Sequence, residues 1–167
     1  DFSSNSSAQR KPLVGGSFVK EIVKRLERTL PASIHIATNL GEDDYRILGN
    51  VTQLQQVLTN LAVNARDAMD GAGELGITLD SIDVGGEAPA PLPEMEKGKW
   101  IKWTISDTGM GMPPEIVERI FEPFFSTKGA KKGNGLGLAQ VYGIVKQHGG
   151  EIDVESEEGV GRVFTCY

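Results

Sequence analysis

A chain of 167 residues with a formal net charge of −6 is long enough for one core-bearing domain and has no bulk attraction for nucleic acid or an anionic membrane. The single cysteine, Cys166, excludes an internal disulfide or a CxxC metal site, and two isolated histidines, His35 and His148, make no zinc site. No apolar run approaches the ~20 residues of a membrane helix and no signal peptide is visible, so a soluble α+β domain in a reducing compartment is the expectation. Any anion it binds must be held by local groups. The chain starts at Asp1 and ends at Tyr167 inside an expected strand, and reads as a piece of a longer protein.

Residues 1–12 are polar and serine-rich, the composition of a linker or of the frayed end of an upstream element. Ser17 is placed to cap a helix over 18–30, whose Phe18, Ile22, Val23, Leu26 and Leu30 share a face and which Pro31 ends. Ile34 and Ile36 alternate with polar residues as in a half-buried strand, Gly41 to Asp44 turn, and Tyr45 to Leu48 form a short strand pairing back. A second helix spans Thr52 to Met69. At about 100° per residue, Leu54, Val57, Leu58, Leu61, Ala65 and Ala68 form its apolar stripe, with Asn60, Asn64 and Asp67 in a second stripe along the edge. Asparagine is a mediocre helix former, so the pair at i and i+4 either bonds water and backbone or serves a ligand.

Asp70-Gly71-Ala72-Gly73 ends that helix, and a strand follows over Gly76 to Val84. Gly85 to Gly98, rich in proline and acidic residues, reads as a long hairpin loop before a return strand from Lys99 to Ser106. Asp107-Thr108-Gly109-Met110-Gly111 comes next. It is either an Asp-Gly turn or a strand-end carboxylate able to accept from an exocyclic amine, with glycines that let the chain approach closely. Pro113-Pro114 opens a short helix, Glu115 to Ile120. Phe121, Phe124 and Phe125 then anchor a basic, small-residue segment up to Lys132, a lid over a ligand or a plain surface loop. Gly133, Gly135 and Gly137 precede the apolar period Leu138, Val141, Tyr142, Val145, so backbone N–H groups and a helix N-terminus converge as in an anion site, or as in an ordinary glycine-rich turn. A hairpin, Glu151 to Ser156 and Arg162 to Tyr167, completes the chain.

Taken together, QLQQVLTNLAVNARDAM (53–69), DTGMGM (107–112), FEPFFSTK (121–128) and GNGLGL (133–138) resemble, in order and spacing, the ATP-binding catalytic domain of bacterial sensor histidine kinases. That family shares a superfamily with gyrase, heat-shock chaperone and mismatch-repair ATPases, and the likeness runs from about residue 13 to the end. It implies an α+β two-layer sandwich of the Bergerat type, a mixed, mostly antiparallel sheet against about three helices. Residues 13–167 would be the catalytic domain, and 1–12 a linker or the tail of a missing dimerisation helix.

By the same resemblance Asn64 ligates the Mg²⁺ that bridges the triphosphate of ATP, and Asn60 positions phosphate or metal. Asp107 accepts from the adenine amino group, with Gly109, Gly111 and Met112 in the pocket wall. Gly133, Asn134, Gly135, Leu136, Gly137 and Leu138 bring backbone to the phosphates, Lys128 is the candidate lid cation for the γ-phosphate, and Phe125 and Asp67 belong to the site. Asn134 stands where threonine is more usual, which removes a hydroxyl contact. The superfamily's ATPases carry a glutamate as general base where this chain has Asn60, and an amide takes no proton from water.

The resemblance therefore implies a domain that passes the ATP γ-phosphate to a histidine on a separate dimerisation domain, and through it to a response regulator receiver domain. Neither His35 nor His148 has the setting of that acceptor. The implied location is the cytoplasm, with a parent that could be membrane-anchored, and the fragment is expected to be monomeric. Two alternatives stay open: a purine-nucleotide-sensing regulatory module, and a slow ATPase or serine kinase of the same superfamily.

Overall fold

The computed structural model describes residues 10–41, 45–85, 90–92, 95–111, 114–117, 119–121, 137–157 and 159–167. The chain enters through β1 (Lys11–Val14), which runs directly into α1 (Gly15–Thr29). Phe18, Val19, Ile22, Val23 and Leu26 recur at helical spacing and are buried, and the Leu30 N–H closes the helix on the Leu26 carbonyl just before Pro31. The expected Ser17 cap does not form. Val14 holds the cap position without a side-chain bond, and the Gly15 N–H is satisfied by the Tyr45 carbonyl at 3.0 Å. That approach requires glycine, since a Cβ on residue 15 would stand 2.9 Å from the same oxygen.

Tying residue 15 to Tyr45 also lays β1 beside β3 (Arg46–Gly49), and the two pair antiparallel as a separate two-stranded sheet. Two expectations change in consequence: Lys11 and Pro12 are strand rather than linker, and β3 pairs with β1 rather than back onto β2 (Ile34–Asn39).

The main sheet has the order β2-β4-β5-β7-β6, built from β4 (Gly73–Val84), β5 (Gly98–Asp107), β6 (Ile152–Glu157) and β7 (Gly161–Cys166). β2 and β4 run parallel, which demands a crossover, and α2 (Val51–Ala68) supplies it. The other neighbours are antiparallel. Period-two alternation buries Leu75, Ile77 and Leu79 of β4, Trp103, Ile105 and Asp107 of β5, and Arg162, Phe164 and Cys166 of β7. Against this face pack α1, α2 and α4 (Gly137–Gln147), with α3 (Pro114–Val117) as a short turn, shorter than the expected helix to Ile120. The result is the mixed two-layer sandwich that the resemblance implies.

In α2 the Asn50 side chain caps the helix by accepting from Gln53 N–H at 3.0 Å, and Leu54, Val57, Leu58, Leu61 and Ala65 are buried together with Ala62. Ala68, expected in the stripe, is only half-buried. Asp70 (φ 53°) and Gly71 (φ 81°) turn left-handed to end the helix, the Gly71 N–H reaching the Arg66 carbonyl at 3.1 Å. Cys166 is buried, which pushes its thiol up to about 12 and leaves it a packing residue. A cavity of about 230 Å³ is lined by Leu54, Trp100, Trp103, His148 and Tyr167, among others. Among the described residues no helix is long and apolar enough to cross a membrane.

His35 is exposed on β2, beside Glu74 in the parallel register. His148 joins two helix ends instead: its Nε2 accepts from the Asn50 N–H at 3.1 Å and its Nδ1 lies 2.9 Å from the Ile144 carbonyl. Only the neutral ring with the proton on Nδ1 makes both bonds. A helix C-terminus suggests a comfortable cation, but burial dominates and holds the His148 pKa below its ordinary 6.5, with Arg10 adding to the effect and the Ile144 carbonyl opposing it.

A ring that resists protonation when folded lets the unfolded chain bind more protons, so its contribution to stability is complete above pH about 6.5 and shrinks as the pH falls from there through the folded-state value. Denaturant unfolding at pH 7.5 and 5.5 checks this. His148→Gln should lose less stability over that interval than the wild type, and equal losses would remove His148 from the account.

Candidate functional site

The site lies where the apolar face of the sheet runs out. β5 delivers Asp107 and β7 delivers Arg162 as direct cross-strand partners, one register step beyond Ile105 and Phe164. Both therefore point toward the helices, into a place where an unpaired charge would be costly. They satisfy each other: Arg162 Nε donates to Asp107 Oδ2 at 3.0 Å. The guanidinium also reaches α2, Nη1 donating to the Asn64 amide oxygen at 2.8 Å and Nη2 to the Asn64 backbone carbonyl at 2.9 Å. Asn64 is 6%, Asp107 8% and Arg162 5% exposed, so the three form one buried polar unit. The Phe164 ring lies under the guanidinium, 5.4 Å from centroid to Cζ.

The second oxygen of Asp107 accepts from the Gly109 N–H at 2.9 Å, which folds residues 107–109 back on themselves. Gly109 in turn lies against the end of α2, where a Cβ would stand 2.5 Å from the Ala68 oxygen, and the Met110 N–H donates to that oxygen at 3.2 Å. An orphan carbonyl of the last helical turn is thereby used to dock the loop. Gly161 is under the same constraint from the other side, a Cβ there falling 2.1 Å from the backbone carbonyl oxygen of Asp107. Thr108 Oγ1 accepts from the Glu74 N–H at 3.1 Å and fixes the loop to β4. Gly111, at φ 69°, turns the chain away.

Asn60, one turn before Asn64, faces α4. Its Nδ2 donates to the Gly137 carbonyl at 3.3 Å and to Gln140 Oε1 at 3.4 Å, and Gln56 reaches the same Gln140 oxygen at 3.2 Å. The asparagine stripe of α2 thus touches Asp107 through Arg162 at one point and the first residue of α4 at the other. Leu138 is buried beneath that junction. Asp67 pairs with its neighbour Arg66, whose Nε and Nη2 lie 3.3 and 3.2 Å from Asp67 Oδ1.

Of the expected site residues, Asn60, Asn64, Asp67, Asp107, Gly109, Gly111, Gly137 and Leu138 are therefore gathered along the C-terminal half of α2, the end of β5 and the start of α4. Met112, Phe125, Lys128, Gly133, Asn134, Gly135 and Leu136 lie outside the described residues. Arg162 was not among the expected residues. A faint signal existed: it stands two positions before Phe164 on a strand, so alternation turns it inward, and an inward arginine needs a carboxylate.

Removing Arg162 leaves the Asp107 carboxylate buried without its partner, a loss of about 3–5 kcal/mol for a broken buried pair. Arg162→Ala should show a drop of that order in chemical denaturation, and a loss below about 1 kcal/mol would mean that water replaces the guanidinium at no cost.

Comparison with known proteins gives a consistent picture. A family model described as histidine kinase-, DNA gyrase B-, and HSP90-like ATPase matches residues 49–167. Sensor kinase CckA of Brucella abortus (strain 2308) is 39% identical over 142 residues, covering 85% of this chain and 15% of that protein, so the chain spans only a small part of that relative's length. Full-length ShkA, solved in complex with AMPPNP, superposes with a TM-score of 0.74 at 28% identity over 94% of this chain and 30% of that one. Histidine kinase ThkA, solved in complex with the response regulator protein TrrA, gives a TM-score of 0.69 at 26% identity over 94% of this chain and 40% of that one. The chain belongs to the histidine kinase-, DNA gyrase B-, and HSP90-like ATPase family, as an ATP-binding catalytic domain of the histidine kinase type.

Proposed function

We propose that this chain binds ATP at the end of β5 and presents its γ-phosphate to a histidine on a separate dimerisation domain of the parent protein, from which a response regulator receiver domain takes it. The observation that carries the reading is the Asp107 carboxylate, buried and held on both oxygens by Arg162 and Gly109. A carboxylate fixed in this way still has a free lone pair on each oxygen and accepts from an exocyclic amine, whereas a ring carbonyl in that place meets only repulsion. Gly109 and Gly161, where a Cβ would strike backbone, keep the surrounding chain close to the acid.

The remaining roles follow the order of the chain. Gly111 follows Asp107 at the site, and for Met112, Phe125 and Lys128, outside the described residues, we keep the roles that the resemblance implies. Gly133, Asn134, Gly135, Leu136 and Gly137 lead into the N-terminus of α4, where backbone N–H groups favour an anion. Asn60 joins that N-terminus to α2. Being an amide, it cannot deprotonate water, so this chain positions and neutralises the phosphates rather than hydrolysing them quickly. In the transfer itself the acceptor imidazole nitrogen bonds the γ-phosphorus as the bond to the β,γ-bridging oxygen breaks, leaving ADP.

Mg²⁺ is the metal such chemistry calls for, with a carbonyl oxygen such as Asn64 Oδ1 as a suitable hard ligand and phosphates supplying most of the rest. As placed, that oxygen accepts from the Arg162 guanidinium. The arrangement does not fit a metal at Asn64, and no step is routed through one. The fold suits the cytoplasmic part of a signalling protein, and we take this chain on its own to be a monomer.

Calorimetric titration tests the reading. ATP should bind saturably, inosine triphosphate more weakly, and Asp107→Asn should weaken ATP by roughly 10–150-fold, the worth of a charge-assisted hydrogen bond. A thermal melt showing Asp107→Asn still folded must accompany it. Equal affinity for ATP and inosine triphosphate would remove Asp107 from the base pocket.

A further inference from the structure

The Arg162 guanidinium holds the one side-chain oxygen of Asn64, and the metal of a nucleotide complex would need that same oxygen. Arg162 Nη1 donates to Asn64 Oδ1 at 2.8 Å, Nη2 locks the backbone of the same residue, and Nε is tied to Asp107. All three bonds are buried, and Phe164 backs the ring of donors. A planar fork engaged at three points does not swing aside as a lysine would. The two partners respond differently to an arriving ligand. Asp107 accepts a further donor with Arg162 in place, because each carboxylate oxygen has two lone pairs. Asn64 Oδ1 cannot take a divalent cation without setting it beside a fixed positive charge in a water-poor place, where like charges repel strongly.

From this geometry we infer that Arg162 is a specificity-determining residue of the nucleotide site: it competes with Mg²⁺ for Asn64 Oδ1, so that this chain distinguishes poorly between free ATP and its magnesium complex. The inference rests on the nucleotide reading above and adds to it which ionic form of the ligand is taken. The guanidinium supplies at Asn64 a positive charge that a neutral residue at 162 would leave to the metal. Nucleotide recognition then depends on the base at Asp107 and on the backbone at α4 more than on the metal.

The test is calorimetric titration of ATP into the whole chain, once with excess Mg²⁺ and once with EDTA, for wild type, Arg162→Lys and Arg162→Gln. The ratio of the two dissociation constants is the readout, since a merely structural role of Arg162 would change both affinities together. Removal of Mg²⁺ should weaken wild type by less than about fivefold and Arg162→Gln by at least about tenfold more than that, with Arg162→Lys, whose ammonium can swing aside, in between. A wild-type loss above about fivefold overturns the inference, and so does an Arg162→Gln ratio equal to that of wild type. Should Arg162→Gln fail to fold, the wild-type and Arg162→Lys ratios still decide. ATP bound with the same strong metal dependence in every variant overturns the role of Arg162 alone, whereas no ATP binding under either condition overturns the nucleotide reading as well.

Discussion

Everything at the candidate site depends on one buried charge having a partner. Arg162 stands on the core face of β7 because Phe164 and Cys166 do, and strand alternation gives it no other direction. Left alone there, a guanidinium would cost several kcal/mol of desolvation, on the order of the penalty for any uncompensated buried ion. Asp107 answers that charge from the adjacent strand, and Asn64 completes it from the helix above. The three residues are separated widely in the chain, yet one guanidinium links β5, β7 and α2.

The backbone around this unit is shaped to let it form. Gly161 allows β7 to press on the end of β5, Gly109 allows the following loop to press on the end of α2, and neither position has room for a Cβ. The same carbonyl of Ala68 that crowds Gly109 accepts the Met110 N–H, so the close approach satisfies a polar group as well as costing a side chain. Asn60 and Gln56 then carry the order from α2 across to α4 through Gln140 and Gly137. Rigid elements thus link a carboxylate, an amide and the start of a helix through one set of hydrogen bonds, the kind of support that a site for a polar ligand needs.

Much of this was legible in the residues. The apolar period of α2 and the stripe of Asn60, Asn64 and Asp67 beside it follow from helical geometry alone, and the strand before Asp107 from composition. What could not be read was whatever depended on register between distant strands. Arg162 is an ordinary strand residue until Asp107 is placed opposite it. The start of α1 was misjudged for the same reason, because the group that satisfies Gly15 is a carbonyl thirty residues on, at Tyr45, and not the nearby Ser17. His148 looked like a helix-end cation, and only the Asn50 N–H aimed at its ring shows that it must stay neutral.

The most direct test of the central claim is amide chemical-shift mapping of the labelled chain as the unhydrolysable analogue AMPPNP is added. The account predicts that the largest changes fall on Asp107 to Gly111, on Asn64 and on Gly137, with the Arg162 side-chain signals moving alongside them. Changes concentrated instead on Trp100, Trp103 and His148, around the separate cavity that these residues line, would contradict it and move the ligand to another place in the fold.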